Sequence, residues 1–92
     1  MVQPERSRLK IYIDILLAVE AEGNAKPTRV LNKANLSYDR LTKYFEELIA
    51  KGLLQENRAS EAKFYTITEK GREFILEVRK AEAFLTGFGL SL

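Results

Sequence analysis

LNKANLSYDRLTKYFEELIAKGLL, residues 31 to 54, contains a turn and one complete helix whose charges are sorted along its axis. Ser37 suits the N-cap, where a hydroxyl oxygen can accept a backbone N–H of the first turn, and Gly52 suits the stop. Between them Leu41, Phe45, Leu48 and Ile49 recur at helical spacing and form the expected buried face. Tyr38, Arg40, Thr42 and Lys43 crowd the first two turns, whereas Glu46 and Glu47 come only after them. Folding requires a polar face opposite the apolar one, but not polarity sorted from one end to the other. The sorting asks for a ligand.

Upstream, Ala34-Asn35-Leu36 breaks the chain, and Asn35 tolerates left-handed backbone angles. Pro27 fits the first position of a short helix reaching about Lys33, which exposes Arg29 and Lys33 four residues apart. Two helices joined by a three-residue turn have helix-turn-helix spacing. Before them Leu9, Tyr12, Ile13, Leu16 and Val19 mark a first helix from Glu5 to Glu22, ended by Gly23 and Asn24. Ile11 and Ile15 add a second apolar stripe, which suits either a central core helix or a partner chain.

Downstream, Leu53 to Glu56 and Lys63 to Ile67 read as strands around a polar loop, Asn57 to Ala62. Thr68 caps a last helix through Leu85, in which Phe74, Val78, Ala81 and Leu85 are spaced four, three and four. That is the seam of a helix–helix interface. The order is α-α-α-β-β-α, a mainly α winged helix-turn-helix with a small β-hairpin. Residues 1–92 make one domain: helix-turn-helix and wing over 5–67, a dimerisation helix over 68–85, and an apolar tail, TGFGLSL, closing the chain. Chains of this size bury about 60–65% of their unfolded surface, and 46% apolar residues suffice for a core.

The composition narrows function. There is neither histidine nor cysteine, which removes the commonest general base, the usual metal ligands, Ser-His and Cys-His nucleophiles and any disulfide. No glycine-rich phosphate loop occurs. No enzyme activity, cofactor or metal is expected. No apolar run matches the roughly 20 residues of a membrane span, and MVQPERSRLK has no signal stretch, so a cytoplasmic location is expected. The net charge of +2 is small, but Lys26, Arg29, Lys33, Arg40 and Lys43 face the single anion Asp39 between residues 26 and 43. A local basic patch on a balanced background suits a polyanion. A helix-turn-helix enters the major groove by the first turns of its second helix, which explains the sorting.

IYIDILLAVE, ANLSYDRLTKYFEELIAKGLL and YTITEKGREFI resemble the small archaeal winged-helix DNA-binding proteins, in particular the Sulfolobus chromatin-type "ten-a" family, over roughly residues 8 to 85. The resemblance implies double-stranded DNA binding, a nucleoid-associated location and a homodimer through an antiparallel coiled coil of the last helix. Carried over, Ser37, Tyr38, Arg40, Thr42 and Lys43 fall on the recognition helix, and Arg58 and Lys63 on the wing, beside Glu61.

Arg40 and Lys43 are therefore the expected groove and phosphate contacts, with Arg29 and Lys33 on the backbone and Tyr38 and Thr42 near phosphates or base edges. Tyr38 suits a packing role equally well. The role expected is transcription regulator or architectural factor. The alternative is a winged helix used as a protein-interaction module, which would not need a basic third helix.

Overall fold

The computed structural model describes residues 6–92; the expected helix start at Glu5 lies outside them. Helix α1 (Arg8–Glu22) is capped by Ser7, whose hydroxyl oxygen accepts the Lys10 N–H. It is the central helix, burying Ile11, Tyr12, Ile13, Ile15, Leu16, Ala18 and Val19 and packing on α2 (Pro27–Ala34), the hairpin and the last helix. The stripe that offered itself to a partner chain is covered from within: Ile11 retains 2% of its surface and Ile15 none.

Pro27 begins α2 as expected, because the first helical position has no intrahelical use for an N–H. Asn35 ends it in the left-handed region at φ 54°, ψ 55°, with the Leu36 N–H closing on the Leu31 carbonyl at 3.0 Å. Helix α3 (Tyr38–Ala50) follows, with Ser37 as N-cap. It closes in a Schellman turn: Gly52, at φ 76°, donates to Ile49 O, and the Leu53 N–H donates to Leu48 O, both at 2.9 Å.

The wing is longer than its sequence suggests. Strands β1 (Leu54–Ala59) and β2 (Ala62–Ile67) pair antiparallel down to Ala59 opposite Ala62, so the expected six-residue loop contracts to a turn at Ser60 and Glu61. Ser60 takes a positive φ of 57°, as tight hairpin turns require. Asn57 and Arg58, expected in the polar loop, are held in β1 by cross-strand pairing with Phe64 and Lys63. Ala25 adds a bridge to Tyr65, with N–H to carbonyl distances of 2.8 and 2.9 Å, which ties the α1–α2 connection to the wing.

Helix α4 (Glu69–Thr86) is capped by Thr68, whose Oγ1 accepts the Gly71 N–H at 2.9 Å and donates to Gly52 O at 2.7 Å. Gly71 permits the close approach: a Cβ there would run into the Leu53 carbonyl and stand 2.7 Å from Ile67 Cγ1. Ile15, Leu16, Val19, Val30, Leu41 and Leu48 form the fully buried centre.

Candidate nucleic-acid interface

Helix α3 is fixed by its apolar face and one polar lock. Leu41, Phe45 and Leu48 are buried, and the Tyr12 O–H donates to Glu47 Oε1 at 2.6 Å, with Arg8 3.9 Å from the same oxygen. Burial and then the Glu47 carboxylate push the Tyr12 phenol up to about 12. Glu47, one of the two acids expected simply to follow the basic turns of this helix, thus fastens α3 to α1. The Phe45 ring stacks on Tyr65 of the wing, centroids 4.0 Å apart and planes within 14°. Helix and wing therefore have a fixed relation.

What this scaffold presents is the polar end of α3. Ser37, Tyr38, Asp39, Arg40, Thr42 and Lys43 are all exposed, Tyr38 to 60% of its surface. The Ser37 hydroxyl accepts the Arg40 backbone N–H at 3.4 Å, and Thr42 Oγ1 donates back to the Tyr38 carbonyl at 2.9 Å. Each hydroxyl retains capacity for a ligand. Among the described residues, no carboxylate lies within ion-pair distance of Arg40 or Lys43.

The other candidate cations are paired. Arg29 Nε and Lys33 Nζ share Glu22, at 3.6 and 3.3 Å, across the α1–α2 junction. Arg58 Nε and Lys63 Nζ share Glu56, at 3.5 and 4.0 Å. Glu61, the neighbour in sequence, is not the wing's counter-ion; Glu56 is. Strand alternation carries that signal: Glu56 and Arg58 are two apart on one face, and the register sets them opposite Tyr65 and Lys63. Glu22 had no such signal, since its meeting with α2 depends on how the helices cross.

A cleft of about 320 Å³ separates α3 from the wing, lined by Pro27, Tyr38, Thr42, Phe45, Glu61, Lys63 and Tyr65. It brings Tyr38 and Thr42 together with Lys63. The sequence marks Pro27 as a helix start and Tyr65 only as part of a strand, and neither as a site residue. The Ala25–Tyr65 bridge delivers them, and Lys26, exposed and unpaired among the described residues, enters with it.

The expected α4 seam divides. Phe74 and Val78 are half-buried against the domain's own core, Ala81 is exposed and Leu85 half-buried. Beside Ala81 and Leu85 stand Phe84 and Phe88, 68% and 69% exposed, with ring centroids 5.3 Å apart. Ala81, Phe84 and Leu85 lie on the last turns of α4 and Phe88 in the turn that follows it, so the outward apolar strip runs from the C-terminal end of α4 into that turn. None of the helices described is long and apolar enough to cross a membrane.

The comparisons agree with this architecture. The crystal structure of Sso10a-2, a DNA-binding protein from Sulfolobus solfataricus, superposes with a TM-score of 0.78 at 28% identity, covering 90% of this chain and 85% of that one. The transcriptional regulator BldR from the same organism gives 0.65 at 28% identity, over 73% of this chain and 50% of its own. An uncharacterised Methanocaldococcus jannaschii protein, MJ0287, is 29% identical over 69 residues, 75% of this chain; the match spans 66% of that relative's length. The resemblance read from sequence stands. A winged helix-turn-helix family model matches residues 5–85, and the chain belongs to that family.

Proposed function

We propose that the protein binds double-stranded DNA by inserting the N-terminal turns of α3 into the major groove, and that it does so as a homodimer joined through α4, as a transcription regulator or architectural factor. One observation carries the reading: Arg40 and Lys43 are exposed and unpaired among the described residues, while Arg29, Lys33, Arg58 and Lys63 are held by carboxylates. Uncompensated cations at the exposed end of a rigidly held helix are what phosphate and base-edge contacts need. Sso10a-2, described as DNA-binding, supports it.

The test is duplex binding at two salt concentrations. If a dimer neutralises about 6–10 phosphates, raising salt from about 50 to about 200 mM weakens binding by roughly 10³–10⁵. Arg40→Ala with Lys43→Ala removes most of the affinity and leaves the helical circular dichroism unchanged. Unchanged binding in that double variant would move the site off α3. Absence of wild-type binding at low salt would favour the protein-interaction module.

A further inference from the structure

The hairpin register sets Glu56 opposite Tyr65 and Arg58 opposite Lys63, so these side chains share one face of the wing. Glu56 is held from three sides: the Tyr65 O–H donates to Oε1 at 3.2 Å, Arg58 Nε lies 3.5 Å from Oε2, and Lys63 Nζ lies 4.0 Å from Oε1. Tyr65 is itself buried and stacked on Phe45 of α3. The carboxylate is therefore anchored to the body of the domain, and both long cations of the wing converge on it.

We propose that Glu56 acts as an internal substitute for a phosphate, occupying the wing's two cations so that the wing adds little sequence-independent affinity and α3 dominates recognition. This rests on the DNA-binding reading. The ion pairs are exposed to solvent, which weakens them, so they do not lock the wing. Their effect is on local charge. With Glu56 present the two cations carry one uncompensated charge, and Glu61 at the turn cancels that as well. A polyanion approaching the wing meets no net attraction.

Glu56→Gln keeps an oxygen for Tyr65 and nearly the same shape, but removes the negative charge. One further neutralised phosphate steepens the salt slope by about 0.9 and tightens binding about eightfold per wing at about 0.1 M salt. Glu56→Asp keeps the charge and retains the wild-type slope. Glu20→Gln is the control, because it changes net charge equally at a different arginine–carboxylate pair, with Arg72 at 3.8 Å. Two readouts are used: duplex affinity against salt, and the salt needed for elution from heparin, which demands no duplex geometry. The expected result is tighter, steeper duplex binding and later heparin elution for Glu56→Gln alone. Glu56→Gln matching Glu20→Gln on both overturns the proposal while leaving wild-type DNA binding intact. Later heparin elution of Glu56→Gln, with no duplex binding by any variant, keeps Glu56 as the wing's counter-ion and removes the DNA reading instead.

Discussion

Replacing Phe84 and Phe88 by alanine is the sharpest test of the proposed dimer, because the domain itself makes so little use of either ring. Each leaves more than two thirds of its surface in water. Taking roughly 200 Å² for a phenylalanine side chain, about 135 Å² per ring is available to a partner, worth about 3 kcal/mol at 25 cal/mol/Å². Four rings in a symmetric pair supply about 13 kcal/mol as an upper bound, against an association cost of about 4–15 kcal/mol. A dimer half-dissociated near 1 µM needs a net of about 8 kcal/mol, so losing the rings leaves none at that concentration. Val78→Glu, the substitution the seam pattern suggests first, is the poorer probe: Val78 packs on the core, and its loss would confuse unfolding with dissociation. Sedimentation equilibrium at micromolar concentration should give a dimer for the wild type and a monomer for Phe84→Ala/Phe88→Ala, with the helical spectrum unchanged. A monomeric wild type, or a double variant that stays dimeric, refutes the assignment.

Three further outcomes are expected. Gly71→Ala forces a methyl against the Leu53 carbonyl and Ile67; overpacking of about 1–3 kcal/mol, at about 5 °C per kcal/mol for a domain of this size, lowers Tm by about 5–15 °C in a thermal melt. Arg58→Ala weakens duplex binding less than Arg40→Ala, because Arg58 is shared with Glu56 and Arg40 is not; equal losses would mean the wing carries more of the binding than its charge allows. Burial, reinforced by Glu47 and Glu56 respectively, pushes Tyr12 and Tyr65 up to about 12, so folding favours the neutral phenols. That stability is intact below the unfolded value near 10 and drains away as pH climbs towards 12. Denaturant melts should therefore show the wild type losing more stability over that window than Tyr12→Phe/Tyr65→Phe, and equal losses would contradict it.

The elements legible in the sequence are those whose ends are set by local chemistry. Ser37 and Thr68 accept first-turn N–H groups, Asn35 and Gly52 adopt positive φ, and Pro27 starts a helix. Each needs only its own few neighbours. The wing's length depended on pairing across the hairpin, which single-strand preferences do not register. The same division runs through the site. The axial sorting of α3 is a one-dimensional pattern and was readable. The partners of Arg29, Lys33, Arg58 and Lys63 depend on a helix crossing and a strand register, and counting charges along the chain assigned them wrongly or not at all. The basic segment from Lys26 to Lys43 carries a net +4 in sequence, yet Glu22 from outside it offsets part of that in space.

If the protein binds DNA as proposed, that difference bears on how such a small domain would discriminate between sequences. If every cation between Lys26 and Lys63 faced phosphate freely, affinity would come mostly from the sequence-independent term, which grows with each charge neutralised. Here one carboxylate sits with each outlying pair; among the described residues the cations of that stretch left unpaired are Arg40 and Lys43 on the first turns of α3, Lys26 beside the neighbouring cleft, and Lys51 at the far end of α3. Those turns are where a docked helix meets base edges as well as backbone. On the proposed DNA-binding reading, Glu22 and Glu56 thus leave the first turns of α3 as the most positive part of the helix-turn-helix surface. Asp39, beside Arg40 on the same turn, has no cation within pairing distance among the described residues; it favours the helix N-terminus and repels phosphate placed too near. The fold supplies a rigid support through Phe45, Tyr65 and the Tyr12–Glu47 lock, and the acids decide which parts of its surface are positive.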